Sequence, residues 1–436
     1  MPYIKYSGSS SGELLPIGCP VRTSIGWWGY LLSYGIFVLL FVFVLLSFYR
    51  ENADNSDVMS TSMTYVRLLT ELGMLSFVGL RRHNFSGKKP LLLIVFLWSL
   101  WMPIANISCL DSGRNGVISS ISILFYCPLV FLFFYSLVNE GVRWFTITRR
   151  MFLLLLAVVA CMFFYYLNVD SLEHGHGGGF SLINNAYYAL LLLPWVLISR
   201  NVLLRHMGTA LIAFIILWSM KRTGLIALVV SVLSYLMAES WRLRLGRNIR
   251  GVFGGIAIIM AALILFSLTN EEAGYYLKSR INAIESDRGA GRLDIYEDVL
   301  YMQSNLALGG WVFGNGHDAV KQSGKIRGGD ELVSAHNDWL EVLYDYGLVG
   351  LALHIIFVYL LLRQTWILLN RRSWFGPPMV ASCVIFLILS LTSHLVLYAS
   401  YYSYLMAFWG AICAAASFEG TPHKQGLTPM HVIGYD

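Results

Sequence analysis

The sequence predicts an all-helical integral membrane protein with about twelve transmembrane helices and one large polar loop that contains short helices. Of its 436 residues, 57% are hydrophobic and only 13% are charged, a composition that no soluble chain of this length has. Apolar runs of roughly twenty residues recur from Trp27 to the C-terminus. A soluble enzyme, a disordered scaffold and a small disulfide-stapled domain are therefore excluded.

The predicted spans follow one another closely, except for one long gap. In hydrocarbon only a helix satisfies its own backbone, and a span takes roughly 17 to 25 apolar residues. The predicted spans are 27–49, 58–80, 90–110, 116–139, 151–169, 182–199, 207–220, 224–238, 251–268, 345–369, 378–396 and 400–418. The predicted regions are an N-terminal segment (1–26), a bundle of about nine spans (27–268), a polar loop (269–344), a bundle of about three spans (345–418) and a tail (419–436).

The distribution of Lys and Arg predicts the orientation. With a cytoplasmic N-terminus, the short outer connections hold only Arg50, Arg114, Lys221 and Arg222. The inner connections hold Arg81, Arg82, Lys88, Lys89, Arg143, Arg149, Arg150, Arg200, Arg205, Arg242, Arg244, Arg247, Arg250, Arg363, Arg371 and Arg372. The positive-inside rule therefore places both termini in the cytoplasm and the 269–344 loop outside. The net charge of +6 reflects this sidedness and does not indicate a nucleic-acid partner.

The 269–344 loop is where we expect the function to lie. It is rich in glycine and charged residues and contains no cysteine. Its order would therefore have to come from short helices, such as one at 292–305, that lie on the membrane domain.

The first candidate group is Lys221 and Arg222, two cations between two apolar runs. Charged residues at such a depth usually face the protein interior or a water-filled cavity. A helix that starts near Thr223 and Gly224 would add free backbone amides, and amides beside a guanidinium bind anions. The alternative is a simple turn whose two side chains reach the outer headgroups.

The second candidate group is a glycine-arginine turn in the loop. Gly289 and Gly291 precede an amphipathic stretch that begins at Arg292, and Arg288 lies just before them. Glycines permit a sharp turn into a helix, and Arg292 would lie at the positive end of that helix, where phosphate oxygens are favoured. The alternative is a turn that only caps a helix. The stretch lacks the Gly-Lys-Ser/Thr ending of a Walker loop.

The third candidate is His336, at the end of the loop and just before an amphipathic helix. Imidazole is the side chain best suited to proton exchange near neutral pH. Asn337 and Asp338 could fix its tautomer, and Trp339 would anchor the segment at the membrane interface. The alternative is an ordinary polar residue at the membrane boundary.

Other features give weaker indications. His174 and His176 could bind a metal, but two histidines without a third ligand favour a plain loop. The triplet at 316–318 could cap or line a site. HExxH and an Asp-x-Asp pair are both missing from the sequence, so we predict a reaction that needs neither metal nor cofactor.

In their order along the chain, these features resemble the O-antigen ligase and polymerase superfamily of bacterial membrane glycosyltransferases. That family has about twelve spans, an Arg outside a mid-chain span, a Gly-Arg helix start in a late outer loop, and His-Asn-x-x-Leu followed by Gly-x-x-Gly. Here these are Arg222, Gly291-Arg292, His336-Asn-Asp-Trp-Leu340 and Gly347-Leu-Val-Gly350. The resemblance covers about residues 200–370, and the first half matches only in span count.

The resemblance implies a GT-C-type transferase of the bacterial inner membrane that takes a glycan from undecaprenyl diphosphate at the periplasmic face. Arg222 and Arg292 would hold the diphosphate, and His336 would take the acceptor proton, with inversion and without metal. The further residues assigned to substrate binding are Lys221, Arg288, Gly291 and Asn337.

Three functions fit this resemblance or compete with it. A polymerase of lipopolysaccharide or exopolysaccharide biosynthesis passes the glycan to a lipid-linked repeat unit, with a possible chain-length regulator as partner. A ligase passes it to lipid A-core. We favour the polymerase because the run at 335–341 is more similar to polymerases. A flippase is the alternative from another class, and the Arg67–Glu71 pair inside the second span is the feature that favours it.

Overall fold

Every regular element that the structure describes is a helix, as the sequence predicts. The computed structural model describes residues 27–52, 56–85, 89–107, 117–173, 186–219, 221–244, 291–326, 333–396 and 399–419. Its helices are α1 (Trp27–Asn52), α2 (Ser56–Leu80), α3 (Pro90–Ile107), α4 (Val117–Asn139), α5 (Val142–Glu173), α6 (Ala186–Leu191), α7 (Leu193–Leu197), α8 (Val202–Trp218), α9 (Arg222–Leu243), α10 (Arg292–Ser304), α11 (Leu308–Phe313), α12 (Ala319–Gln322), α13 (Asp338–Asn370), α14 (Gly376–Thr392) and α15 (Ala399–Glu419).

The apolar helices identify an integral membrane protein. Four stretches are long and apolar enough to cross a bilayer: Ser62–Leu80, Arg143–Tyr165, Arg222–Leu243 and Asp338–Asn370. Six shorter apolar helices accompany them. The count of about twelve spans stays a prediction, because not every helix reaches the required length and the ninth predicted span, 251–268, lies outside the described residues. The predicted sixth span is divided into α6 and α7, with a proline at the start of α7 that cannot donate a helical hydrogen bond.

Close helix pairs build the membrane core. The helix α4 packs along α15, α14 packs along α9, and α3 packs along α13. Gly410 shows how close α15 comes to α4, because a Cβ atom there would lie 2.3 Å from the carbonyl oxygen of Phe131. Small residues of this kind let membrane helices approach each other at backbone distance. The bulky Trp195 and Trp409 side chains fill the space around them and are fully buried.

The segment between α9 and α13 contains the short helices that the sequence predicts. The helix expected at 292–305 is observed as α10, Arg292–Ser304. Together, α10, α12 and the start of α13 enclose a small second core. Its buried members are Ile295, Val299, Met302, Ala319, Val320, Ile326, Ala335 and Tyr344. This core fixes α10 against the beginning of α13.

A glycine contact joins this segment to α13. The backbone of α13 is interrupted at Gly347, whose φ is 66°. Gly314 packs directly against it, so a Cβ atom on Gly347 would lie 2.6 Å from the Gly314 nitrogen. The interruption leaves carbonyl groups of α13 without their usual helical donors. The amides of Asn315 and Gly316 donate to the carbonyl oxygens of Tyr344 and Asp345 at 3.2 and 2.8 Å.

The residues after Gly316 strengthen this attachment. The amide of His317 donates to Asn106 Oδ1 at 3.0 Å, and its Nδ1 lies 3.0 Å from the Tyr346 hydroxyl. The amide of Asp318 donates to the carboxylate of Asp345 at 2.9 Å. The 316–318 triplet therefore fastens the segment to α3 and α13.

Candidate active site

Two helix starts with the same construction lie in the candidate site. The helix α9 begins with Lys221 as its cap and Arg222 as its first residue, and α10 begins with Gly291 as its cap and Arg292 as its first residue. Neither cap residue accepts a side-chain hydrogen bond from its helix. The first amides of a helix have no intrahelical acceptor, and they carry its positive partial charge. Each start therefore combines backbone amides that have no intrahelical acceptor with a guanidinium.

These two helix starts meet. Arg292 Nη1 lies 3.5 Å from Thr223 Oγ1, the second residue of α9. The side chains of Lys221, Arg222 and Arg292 are all partly buried. The Tyr187 hydroxyl, from α6, interacts with Thr223 and with Ser393 after α14. The contact brings the Arg-bearing start of α10 beside the Arg-bearing start of α9, as expected for two parts of one anion site.

Tyr296, one turn further along α10, connects the arginines to His336. Its hydroxyl lies 3.2 Å from the carbonyl oxygens of both His336 and Leu391, and its single proton can be donated to either. Burial raises the pKa of Tyr296, while the charge of Arg292 and a hydrogen bond with Asn337 act in the opposite direction. The hydroxyl therefore keeps its proton at neutral pH and remains a donor.

His336 faces a second histidine. The ring centroids of His336 and His394 lie 4.2 Å apart with the planes tilted by 39°. His336 also has a φ of 53°, in the left-handed region that residues other than glycine seldom occupy. Such conformations often occur at functional sites, where the surroundings hold the strained backbone in place.

A buried carboxylate holds His394. Nδ1 of His394 donates to Glu341 Oε2 at 3.3 Å, and Glu341 Oε1 accepts a hydrogen bond from the amide of Ala335 at 2.7 Å. Glu341 is 2% exposed and His394 is 8% exposed. When Nδ1 donates, Nε2 is the nitrogen of a neutral His394 that carries the acceptor lone pair. The carboxylate thus sets the tautomer of one histidine and, through Ala335, fixes the backbone beside the other.

The residues expected to orient His336 have other partners. Asn337 Oδ1 caps α13 by accepting from the amides of Trp339 and Leu340. Asp338 is fully buried, and its carboxylate accepts from the amides of Leu395 and Val396 at 3.0 Å. The expectation that Asp338 would fix the His336 tautomer is therefore not met, because its oxygens hold the chain after α14. A role of Asn337 in substrate binding stays a prediction.

The structure brings together most of the residues that the sequence singled out. Arg222, Arg292, Gly291, Lys221 and His336 lie at the same end of the helix bundle, joined by the contacts above. Arg288, His174 and His176 lie outside the described residues. Within the described ranges, no group of three or more His, Cys, Asp or Glu side chains could hold a metal ion.

Sequence reasoning missed Tyr296, Glu341 and His394. A usable signal existed for His394, which is a polar residue near the end of the predicted 378–396 span, at a boundary that the predicted topology places outside. Glu341 was not identified because it lies one turn into the amphipathic helix after His336. A carboxylate at such a position is normally assigned to the solvent-exposed face of the helix. Only the packing of α14 against α13 shows that these residues meet.

Comparison with known proteins matches a family to the middle of the chain. A family model described as O-antigen ligase matches residues 207–355, from α8 into α13. No curated protein matches the chain. The matched range includes Arg222, Arg292, His336 and Glu341, whereas His394 follows it. The resemblance read from the ordered motifs is thereby confirmed for this part of the chain.

Proposed function

We propose, given that residues 207–355 match a family model described as O-antigen ligase, that this membrane protein transfers a glycan from undecaprenyl diphosphate to the hydroxyl group of an acceptor. The observation that carries the proposal is the meeting of two Arg-headed helix starts beside a histidine pair. An anion site next to a proton acceptor is what such a transfer requires.

The diphosphate is proposed to lie at the two helix starts. When the bond between the anomeric carbon and the diphosphate oxygen breaks, the electron pair stays on that oxygen and negative charge builds up. Arg222 and Arg292 would grip phosphate oxygens with their planar forks, and the backbone amides in the first turns of α9 and α10 would add donors. Loss of one such donor typically costs on the order of 3 kcal/mol in the transition state. Lys221, Arg288 and Gly291 complete the proposed substrate-binding set.

His336 is proposed to take the proton of the acceptor hydroxyl. The hydroxyl oxygen then forms the new bond to the anomeric carbon as the diphosphate leaves from the opposite side, which inverts that carbon. His394 and Glu341 support this step by packing against the His336 ring and holding its preceding backbone. Every charge in this scheme is met by a side chain of the protein, so the proposed reaction needs no metal.

The proposed orientation follows from the ends of the helices. The candidate site lies at the starts of α9 and α13 and at the end of α14, whereas Arg200, Arg242 and Arg371 lie at the opposite ends of the bundle elements. Under the positive-inside rule the arginine-rich end faces the cytoplasm. We therefore propose that the site faces the periplasm in a bacterial inner membrane, with both termini in the cytoplasm and the domain boundaries of the sequence analysis.

The acceptor distinguishes two candidate activities. We favour a polymerase that passes the glycan to a lipid-linked repeat unit, on the similarity of the run at 335–341 to polymerases. The description of the matching family as a ligase favours the second candidate, transfer to lipid A-core.

The test is a transfer reaction with purified protein and lipid-linked repeat units, without nucleotide and with EDTA present. We expect longer glycans on undecaprenyl diphosphate. If lipid A-core alone becomes the acceptor, the protein is the ligase. Failure to form any new glycosidic linkage with either acceptor would contradict the proposal and favour transport, and loss of transfer only when EDTA is added would contradict the metal-free step.

A further inference from the structure

Four arginines lie at the end of the bundle opposite the candidate site, and two of them contact Trp374. We call Arg149, Arg150, Arg200 and Arg242 the arginine cluster. They come from α5, from the connection after α7 and from the end of α9. The guanidinium carbons of Arg200 and Arg242 lie 5.7 and 4.7 Å from the centroid of the Trp374 ring. Nε1 of Trp374 donates to the carbonyl oxygen of Ile198 at 3.2 Å, which fixes the indole between α7 and α14.

The cluster carries more positive charge than its neighbours neutralise. Glu239 binds Arg242 through two hydrogen bonds of 2.7 and 2.8 Å. The salt bridges found among the described residues give no carboxylate to Arg149, Arg150 or Arg200. Instead, Arg149 interacts electrostatically with Arg150 and Arg200, which carry like charge. Bringing guanidiniums together in this way is unfavourable unless an anion lies between them.

Buried polar atoms beside the cluster also lack partners. Nε of Arg149, Oγ1 of Thr148 and Oγ of Ser199 are buried without a hydrogen bond to any described residue. Thr148 is 0% exposed and Ser199 is 1% exposed. An unmet buried donor costs roughly 1 to 3 kcal/mol. Arg150 and Arg200 are exposed, as the positive-inside rule alone would allow, but the buried Nε of Arg149 indicates a site for a ligand that supplies oxygen atoms.

We propose that the arginine cluster binds the phosphate group of an anionic phospholipid. Phosphate oxygens match the planar fork of arginine, and a phosphodiester between Arg149 and Arg200 would offset part of their repulsion with its single negative charge. Trp374 provides an amphipathic surface of the kind that lies at the headgroup level of a membrane. A lipid fits better than a free phosphate ion because the cluster lies at the ends of membrane-crossing helices, where basic pockets meet headgroups.

The test is a lipid titration of the full-length protein in detergent, followed by native mass spectrometry. The lipids are phosphatidylglycerol and, as the zwitterionic comparison, phosphatidylcholine, and inorganic phosphate is the competitor. We expect selective binding of phosphatidylglycerol that millimolar phosphate does not displace. Arg149→Gln with Arg200→Gln should weaken this binding roughly tenfold or more. The single Arg200→Gln, on an exposed side chain, carries the test if the double variant does not fold.

The matched control is Arg143→Gln, which removes one exposed positive charge from the same helix outside the cluster. It should change phosphatidylglycerol binding by less than about twofold. Three outcomes would overturn the proposal: equal loss in the control, equal binding of phosphatidylcholine, or displacement of the lipid by inorganic phosphate. Because the readout is binding at the end away from the transfer site, this result is independent of the proposed transferase activity.

Discussion

The centroids of the His336 and His394 imidazole rings lie 4.2 Å apart, and the two ring planes are tilted relative to each other. His336 precedes α13 and His394 follows α14, so neither stretch of sequence alone contains the pair. The carboxylate of Glu341 accepts from Nδ1 of His394 and from the amide of Ala335. One carboxylate therefore organises both histidines.

Replacing His336 with alanine should abolish transfer. We expect the turnover rate to fall by about a thousandfold, because general base catalysis typically contributes between 10² and 10⁴. The affinity for the lipid-linked donor should stay within about twofold of that of the unsubstituted protein, since the diphosphate is proposed to lie on the arginines. Single-turnover kinetics and a donor-binding assay measure the two effects. If only His394→Ala abolishes turnover, while His336→Ala leaves it near normal, the base is His394.

Replacing Glu341 with glutamine should change the tautomer of His394. To keep the hydrogen bond from Ala335, the new amide must use its oxygen there and turn its NH₂ group toward Nδ1, which then has to accept. We expect turnover to fall roughly tenfold with an unchanged Michaelis constant, the pattern of a residue that acts through another. Proton and nitrogen NMR of the histidine rings would report the tautomer. An unchanged tautomer would contradict this role, and so would normal turnover in Glu341→Gln.

Arg222→Lys and Arg292→Lys should each impair transfer although the charge is kept. Lysine cannot present a planar fork to two phosphate oxygens, so we expect a loss of roughly tenfold or more in kcat/KM. Arg143→Lys, at an exposed position, is the matched control and should have no effect. Full activity in both active-site variants would show that the fork is not used.

Gly347→Ala should destabilise the protein by roughly 3 kcal/mol or more. The added Cβ would meet Val312 O at 2.4 Å, and the φ of 66° disfavours any side chain. Gly309→Ala is the control, because nothing lies within 4 Å of its Cβ position. Thermal denaturation in detergent measures both variants. Equal stability of the two variants would mean that the Gly314–Gly347 contact does not form.

The protein should lose stability as the pH falls from about 6.5 to about 4. Burial, assisted by the charges of Arg67 and Lys321, lowers the pKa of His317 to about 4 from 6.5. Below 6.5 the unfolded chain binds a proton that the folded chain excludes, so unfolding becomes more favourable until the pH reaches about 4. His317→Gln should show a weaker dependence of melting temperature on pH in this window. An identical dependence in the variant would assign the acid sensitivity to other groups.

The sequence predicted the helices well because hydrocarbon allows few alternatives. Apolar runs had to be helical, and the glycine-arginine turn had to start a helix, as Gly291 with its φ of 70° does. The family motif at Gly347 also has a physical reason, since only glycine fits the contact with Gly314. The role of Glu341 could not be predicted, because its partner His394 comes from a different helix and no local pattern pairs them.

The attachment of α10–α12 to the interrupted backbone of α13 has a consequence for biosynthesis. The acceptor groups of Tyr344 and Asp345, which hold residues 315 and 316, are translated after the segment that needs them. His394 is translated later still. A nascent chain inserted only as far as α12 would therefore hold Arg222 and Arg292 without a finished pocket. The proposed glycan transfer would become possible only once the C-terminal helices have joined the bundle.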